Sequence, residues 1–297
     1  MSSTRRSFLG AAGIVGLGAA GVTPSFSKIE DAPWGIRLGI ATYSLRAFDR
    51  PKAIELMKTL QTPYLSIKEV HLAQKHSKAE IAAGAKEYVA LDEVRAAGKE
   101  FVDAGFKVVS GGNVDMKETT VDGLRPHFEY AKAAGIPMMV CAPLHENLKM
   151  IEQLVKEYDI RIAIHNHGPE DKNFPTPQSV LEAVKPLDAR CGLCMDVGHT
   201  ARAGQDPVKS IAEAGSRLLD MHVKDLKDFT GQLKPAFGQC DVGDGAMPFP
   251  AIFKQLKKMN YQGTVNLEYE INDKDPMPGM QRSFSYMRGV LAGLAGA

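Results

Sequence analysis

Histidine and carboxylate side chains gather in four short segments in the second half of the chain. The segments read Ile164-His165-Asn166-His167-Gly168, Met195-Asp196-Val197-Gly198-His199, Asp220-Met221-His222-Val223-Lys224-Asp225 and Leu267-Glu268-Tyr269-Glu270. Because residues two apart on a strand share a face, each segment directs its polar side chains one way. Imidazoles and carboxylates that converge from neighbouring strands form a divalent metal site more readily than any other site. The mixed nitrogen and oxygen set favours Mn, Co, Fe or Zn over Mg or Ca.

Any one of these side chains also has an ordinary interpretation. A single histidine at a strand end is often a hydrogen-bonded structural residue, and a single glutamate there is often simply solvated. The four segments together, each at the same end of its strand, favour the metal site.

The elements that would position these residues alternate regularly along the chain. Apolar runs predict eight strands, at 37–44, 64–72, 106–110, 136–141, 160–166, 191–196, 217–224 and 264–269. Amphipathic stretches and capping signals predict eight helices, at 51–60, before Gly105, and at 121–134, 146–158, 177–184, 207–215, 248–259 and 280–294. Strict alternation predicts a single (β/α)8 TIM barrel over residues 28–297, of the α/β class. An open doubly wound sheet more often shows a glycine-rich dinucleotide loop after its first strand, and none is present.

Composition narrows the class of partner. In 297 residues, 36 are Lys or Arg and 35 are Asp or Glu, so no basic field favours nucleic acid or an anionic membrane. Four cysteines in this length do not form the disulfide scaffold of a small secreted domain. We expect a small-molecule partner, with neither nucleic acid nor membrane as a ligand.

The N-terminus has the pattern of a targeting segment. Thr4-Arg5-Arg6-Ser7-Phe8-Leu9 precedes an uncharged apolar run over 10–22 that is too short and glycine-rich to span a bilayer. The paired arginines resemble a twin-arginine (Tat) export signal. An amphipathic first helix is the alternative, but the run has no polar face. We expect residues 1–27 to be a signal peptide and the mature protein to be periplasmic or otherwise exported.

Four motifs carry a resemblance to a known family. They are Asp196-Val197-Gly198-His199, His222-Val223-Lys224-Asp225, Gly243-Asp244-Gly245 and Tyr261-Gln262-Gly263 with the following Leu267-Glu268-Tyr269-Glu270. Together they resemble the xylose isomerase-like TIM barrel superfamily, which includes sugar isomerases and epimerases, inosose dehydratases and AP-endonuclease-like relatives. In that superfamily a Glu, an Asp, a His and a second Glu hold one divalent metal.

The resemblance implies a ligand set with one departure. Asp196, His222 and Glu268 match the family's Asp, His and last Glu, whereas His165 stands where the family has its first Glu. The ligand set therefore carries one negative charge fewer than the family pattern. The resemblance implies that epimerases of the family move a proton on and off the sugar carbon with two ligand glutamates, one on each face of the sugar. With His165 in one of these positions, symmetric proton exchange between two glutamates is not available here.

Proton transfer would then fall to other groups. His167, His199 and Lys224 are the candidate bases or shuttles, beside the remaining carboxylate of Glu268. We expect a metal-dependent sugar isomerase or epimerase that abstracts a proton α to the carbonyl of a free sugar or keto-sugar. A lyase or dehydratase acting on 3-keto-glycosides or inososes is the alternative.

Further residues are weaker candidates for substrate contact. His71 and Glu69 are predicted to share a face at the end of the second strand, Asp244 to lie in a tight loop at the barrel mouth, and Glu270 to accompany Glu268. Cys191 and Cys194 have the spacing of a zinc knuckle or redox pair. No second pair completes four ligands, and residues three apart on a strand face opposite sides, so core positions are favoured.

Two other classes of function share the fold or the pocket. A DNA-repair nuclease would gather more ligands and a basic face, which the neutral charge balance opposes. A non-catalytic sugar-binding protein would use the pocket without requiring the ligand constellation.

Overall fold

Eight parallel strands close into a barrel in this computed structural model, which describes residues 34–72, 90–228 and 238–296. Their bounds are β1 Arg37–Ala41, β2 Tyr64–Ile67, β3 Lys107–Met116, β4 Met138–Pro143, β5 Arg161–His165, β6 Cys191–Asp196, β7 Leu218–Val223 and β10 Thr264–Leu267. The strands pair in the order β1-β10-β7-β6-β5-β4-β3-β2. Two short strands, β8 (Asp225–Leu226) and β9 (Gln239–Cys240), form a separate antiparallel pair. The predicted (β/α)8 barrel is confirmed.

Helices follow the barrel strands in turn. They are α1 Arg50–Lys58, α2 Leu91–Asp103, α3 Val121–Ala134, α4 Leu148–Tyr158, α5 Pro177–Val184, α6 Val197–Arg202, α7 Pro207–Ala214, α8 Phe249–Lys258 and α9 Met277–Ala295. Two of them, α5 and α7, begin as the sequence predicts, since the side chains of Thr176 and Asp206 accept hydrogen bonds from main-chain N–H groups of the first turn. Asp49 caps α1 in the same way. A proline stands in the first turn of each of these helices.

Two layers of buried side chains hold the barrel. The outer layer packs strand residues such as Ile40, Leu65 and Ile164 against the helices. The inner layer contains Met138, Val140, Ala163 and Cys194, which are buried inside the barrel.

Below the mouth of the barrel lies a buried carboxyl group. Asp220 accepts hydrogen bonds from Ser110 Oγ at 2.6 Å and from Asn266 Nδ2 at 2.7 Å. Burial raises the pKa of Asp220 to about 6. Asp220 is therefore a buried polar group that the protein itself hydrogen-bonds inside the barrel.

The early strands differ most from their predicted bounds. β1 and β2 end at Ala41 and Ile67, and each continues as a short 3-10 helix, Thr42–Leu45 and Glu69–His71. β3 runs six residues beyond its predicted end at Ser110, to Met116. Helix α6 was not predicted, because Asp196 is at once the last residue of β6 and the capping residue of α6.

Several predictions fall outside the described residues. The signal peptide over residues 1–27 is among them and stays a prediction. Within the described part of the chain, no helix has the length and apolar character needed to cross a membrane.

Candidate metal centre and active site

Four side chains meet at the carboxyl end of the barrel. His165 ends β5, Asp196 ends β6, His222 lies near the end of β7, and Glu268 follows β10. One potential ligand atom from each lies within 4.8 Å of the others. His165, Asp196 and His222 are buried, and Glu268 is half-buried. This is the set that the family resemblance implies, brought together from four strands.

Several polar atoms of this group lack hydrogen bonds. Both ring nitrogens of His165 and of His222, and Oδ2 of Asp196, are buried without a hydrogen-bond partner. Asp196 Oδ2 makes only ion-pair contacts, 3.6 Å from His165 Nε2 and 3.1 Å from Lys224 Nζ. Buried polar atoms are nearly always satisfied, and one ring nitrogen of each histidine together with Asp196 Oδ2 and a Glu268 oxygen can face a common point, so the group suits a divalent cation.

Asp196 divides its carboxylate between two contacts. Oδ1 accepts a hydrogen bond from the main-chain N–H of His199 at 2.7 Å and so caps α6, which leaves Oδ2 directed at the centre. Asn166 fixes the strand end, because its Oδ1 accepts the Asp196 N–H at 3.0 Å. Gly198 is required by a close approach, since a Cβ there would lie 2.5 Å from Lys224 Cγ. Sequence reasoning missed the bridging role of Asn166.

Lys224 joins three carboxylates inside the site. Its buried Nζ lies 2.6 Å from Glu270 Oε2, 2.8 Å from Glu268 Oε2 and 3.1 Å from Asp196 Oδ2. Burial opposes its charge, but the three carboxylates outweigh burial and hold the pKa of Lys224 well above its usual value. With His222 in its neutral, metal-binding form, three carboxylates and one ammonium leave two negative charges in excess. One divalent cation would neutralise them.

The carboxylates of the site are held in their charged form. Burial would raise the pKa of Asp196, yet Lys224, His199 and His165 lower it far below its usual value. The pKa of Glu268 is likewise well below its usual value, because Lys224 and His222 outweigh its burial. Both groups are therefore ready to bind a cation.

The imidazoles divide into two kinds. Burial lowers the pKa of His165 to about 4 and that of His199 to about 3, so both are neutral at neutral pH. For His222, burial is outweighed by Cys194 and Glu268, which raise its pKa well above the usual value. Its Nδ1 lies 3.3 Å from Glu268 Oε1. A metal that binds His222 must therefore displace a proton.

His199 has a defined tautomer. Its Nδ1 lies 2.8 Å from Nη1 of the buried Arg202. Because a guanidinium only donates, Nδ1 must accept, and the ring proton is on Nε2. His199 is therefore a neutral hydrogen-bond donor, which argues against the predicted role as a proton shuttle.

His167 lies beside a carboxylate that the sequence reasoning did not single out. Asp171 Oδ2 is 3.2 Å from His167 Nδ1, and His167 Nε2 accepts a hydrogen bond from Asn113 Nδ2 at 2.7 Å. With a proton on Nδ1 facing the Asp171 carboxylate, Nε2 carries the lone pair, and Asn113 Nδ2 engages it. His167 is half-buried and lines the cavity, so it is placed to exchange a proton with a substrate.

A cavity of about 240 Å³ contains the site. Its lining includes the predicted residues His165, His167, His199, Lys224, Glu268 and Glu270. Tyr43, Lys68 and Asn113 also line it and were missed. Lys68 Nζ donates to the Asn113 carbonyl at 3.0 Å. A cavity of about 550 Å³ is larger, but it lies at the opposite end of the barrel, where none of these side chains is found.

The predicted role of His71 in substrate binding is contradicted by its contacts. Its ring is buried, with Nδ1 3.0 Å from Thr42 Oγ1 and Nε2 3.1 Å from the Leu45 carbonyl. The ring instead ties the segments that follow β1 and β2. The prediction extended the second strand to residue 72, whereas β2 ends at Ile67, so His71 does not lie at a strand end.

Glu69 and Asp244 also lie away from the cavity. Glu69 lines a separate, mostly apolar cavity beside Tyr130 and His127. Asp244 is exposed in a turn closed by its N–H to the Asp241 carbonyl, 2.9 Å. The structure therefore does not support substrate contact for either. Glu270 lines the site, and its predicted contact with substrate stays a prediction.

The two cysteines of the Cys-x-x-Cys segment occupy opposite faces of β6, as the alternation predicts. Cys191 packs in the outer layer and Cys194 in the inner layer. Cys194 could form a second ligand group with His165 and His222. Burial raises the pKa of its thiol to about 12, which disfavours the thiolate that a metal requires, so the carboxylate set fits better.

The family follows from a sequence match over most of the barrel. The family model described as xylose isomerase-like TIM barrel matches residues 110–290. The chain belongs to the xylose isomerase-like TIM barrel family. The resemblance inferred from the motifs is thus confirmed.

Within the xylose isomerase-like TIM barrel family, curated relatives match part of the chain. An inosose dehydratase of Mesomycoplasma hyopneumoniae (strain 7448) is 28% identical over 164 residues, 50% of this chain and 54% of the relative. The chain therefore spans about half the length of this relative.

Solved structures share the fold over a greater length. The IolI protein, solved with a zinc atom, has a TM-score of 0.67 at 18% identity, covering 87% of this chain and 99% of that one. An L-ribulose 3-epimerase has a TM-score of 0.65 at 14% identity, covering 88% and 98%. At these identities the likeness shows the fold alone.

Proposed function

We propose that the protein is a divalent-metal-dependent sugar isomerase or epimerase, which removes a proton α to the carbonyl of a sugar or keto-sugar. The observation that carries the proposal is the convergence of one ligand atom each from His165, Asp196, His222 and Glu268, beside a polar cavity that His167 and Lys224 line. His165, Asp196, His222 and Glu268 would hold the ion, with Mn, Co, Fe or Zn suited to their donor atoms. When bound, the ion would polarise the substrate carbonyl and acidify the neighbouring C–H group.

The chain's own residues take distinct roles in this proposal. His167 receives the proton through Nε2 once the substrate displaces the Asn113 amide from that nitrogen, while Asp171 stabilises the resulting charge on the ring. His199 donates a hydrogen bond from Nε2 to a substrate oxygen. Lys224, held as an ammonium, orients Glu268 and Glu270 and is not itself the base.

Elimination is a second candidate, and the arrangement of bases favours it. Glu268 is the only glutamate among the four proposed ligands, because His165 occupies the second carboxylate position. With a base chiefly on one face, the carbanion would expel a β-substituent: the C–H bond breaks, a C=C bond forms, and the C–O bond breaks with its electrons leaving on oxygen. The proton taken by His167 then passes to that oxygen. The curated relatives named inosose dehydratase agree with this class of reaction.

Incubation in deuterated water tests the proposal. The purified protein, loaded in turn with Mn, Co, Fe or Zn, is given free ketoses, inososes and 3-keto-glycosides. We expect metal-dependent deuterium incorporation or loss of the α-hydrogen. An isomerase or epimerase returns intact sugar with deuterium at the reacting carbon, whereas a lyase releases an unsaturated ketone. Sugar binding without any exchange in any metal form would instead support a binding module.

Export through the Tat pathway is part of the proposal and has its own test. The support is the Arg5-Arg6 pair with the apolar run behind it. Changing Arg5→Lys and Arg6→Lys together should keep the protein in the cytoplasm, as judged by cell fractionation. Unchanged delivery to the periplasm would remove the Tat assignment while leaving the enzymatic proposal intact.

A further inference from the structure

A second cavity adjoins the candidate active site. It has a volume of about 260 Å³, against about 240 Å³ for the cavity that contains the ligand group. His167 lines both cavities, so its ring lies at their junction. The space next to the proposed proton-transfer residue is therefore roughly twice what the ligand group alone encloses.

The lining of the second cavity combines apolar and polar surface. Ala142, Pro143 and Phe174 contribute apolar surface, while Asp115, Lys117 and Asn173 contribute polar groups. Asp115 and Lys117 form an exposed ion pair at 2.9 Å. Apolar surface with a few placed polar groups is the usual composition of a small-molecule site. A sugar ring, with its C–H faces and hydroxyl edges, matches both kinds of surface.

The wall of the second cavity is joined to His167 by a hydrogen-bonded loop. Asp171 Oδ1 accepts the main-chain N–H groups of Asn173 at 2.7 Å and Phe174 at 3.1 Å. The other oxygen of Asp171 faces His167 Nδ1. The main-chain N–H of His167 donates to the Phe174 carbonyl at 3.1 Å. The segment from His167 to Phe174 is therefore held together by hydrogen bonds where the two cavities meet.

We propose that the second cavity binds a second ring, so that the substrate is a two-ring glycoside whose first ring occupies the cavity with the ligand group. The inference rests on the proposed function and deepens it. It selects the elimination branch, because the second ring would then be the group that leaves. The bond between the two rings would lie beside His167.

Ala142→Phe is the direct test. Ala142 follows Met138 and Val140 at two-residue spacing on β4, and those side chains face the barrel interior, so residue 142 faces the mouth. The variant fills the second cavity without touching a proposed ligand. Ser216→Phe, in the cavity at the opposite end of the barrel, is the control of equal bulk.

The substrates differ only in the second ring. A methyl 3-keto-glucoside and a 3-keto-disaccharide have the same reacting atoms. We expect Ala142→Phe to lower kcat/KM for the disaccharide at least about tenfold and to change that for the methyl glycoside less than about twofold. Ser216→Phe should change neither. Asn173→Ala, which keeps the main-chain contacts of its loop, should raise KM for the disaccharide alone.

The outcomes separate the two proposals. If the wild-type protein exchanges the α-hydrogen of the methyl glycoside but treats the disaccharide no better, the second-ring site is wrong and the proposed function stands. Equal losses on both substrates for Ala142→Phe and for Asn173→Ala would also overturn the site. If the wild-type protein exchanges no hydrogen in any metal form, the proposed function fails, and this inference fails with it.

Discussion

The late and early halves of the barrel mouth are built differently. At the ends of β5, β6, β7 and β10 the ionisable groups are mostly buried, and several of their polar atoms lack hydrogen bonds. At the ends of β1, β2 and β3, the polar groups are mostly engaged with the protein itself, as Lys68 is with the Asn113 carbonyl and His71 with Thr42. Unsatisfied polar atoms mark the half that is built for a ligand, and satisfied ones mark the half that supports it.

The largest expected effect comes from removing a proposed ligand in the late half. Asp196→Asn, His222→Ala and Glu268→Gln should each lower metal content and activity by about two or more orders of magnitude, because each opens the coordination shell. Asparagine still caps a helix, so Asp196→Asn tests the charge without losing α6. Metal content is read by elemental analysis and α6 by circular dichroism. Full metal content in all three variants would refute the ligand assignment.

A lysine from each half gives a matched comparison. Lys224→Met leaves three carboxylates without their cation, so activity should fall about a hundredfold while metal affinity rises. Lys68→Met lies outside the ligand group, so it should raise KM about tenfold and leave metal affinity unchanged. Kinetics and metal titration on both variants decide. If Lys224→Met and Lys68→Met change metal affinity equally, the two halves of the barrel mouth do not differ in metal binding as described.

Metal affinity should depend on pH through His222. Because its pKa is raised in the metal-free protein, the ring is largely protonated near neutrality, and the ion must compete with that proton. Affinity should therefore rise about tenfold per pH unit until the pH passes this pKa. Titration calorimetry at several pH values measures the slope and the proton released. A flat profile between about pH 6 and 8 would show that His222 is not displaced from a protonated state.

Substitutions of His165, the proposed ligand that differs from the family pattern, test its role directly. His165→Glu restores the carboxylate that the family has there, and it should retain metal. His165→Ala should lose metal affinity, since it removes a ligand. If His165→Ala binds metal as well as the wild type, His165 contacts substrate or supports another ligand instead.

The smallest effect on catalysis is expected at His71. His71→Asn removes two buried hydrogen bonds that join the ends of β1 and β2, so stability should fall by about 1–3 kcal/mol. Activity per folded molecule should stay within about twofold, because the ring lies outside the cavity. Denaturant unfolding and kcat/KM measured together test this. If His71→Asn keeps the stability of the wild type but loses most of its kcat/KM, His71 has a role in the active site after all.

The late half could be predicted because its strands end where their apolar runs end. In β2 the apolar run continues past the strand, and the chain turns into a 3-10 helix at Glu69. Ser66 and Lys68 alternate with the outward-facing Leu65 and Ile67, so period two already pointed to Lys68 as the residue facing the mouth. The prediction that Glu69 and His71 contact substrate selected the face of the strand opposite to that of Ser66 and Lys68.

Other site residues had no comparable signal in the sequence. Asn113 enters the site only because β3 extends beyond its apolar residues. Asp171 faces His167 across a loop, and Arg202 reaches His199 from a helix that was not predicted. Contacts of this kind depend on loop geometry, which apolar periodicity does not describe.

The four proposed ligands come from four adjacent strands, β5, β6, β7 and β10, over a stretch of chain from His165 to Glu268. An ion bound by all four would act as a cross-link through this side of the barrel. By thermodynamic linkage, an ion at a hundred times its dissociation constant would stabilise the folded state by about 2.7 kcal/mol. Amide hydrogen exchange in β5 to β10 would then slow with ion concentration. A chelator would loosen the same strands before it unfolded the rest of the molecule.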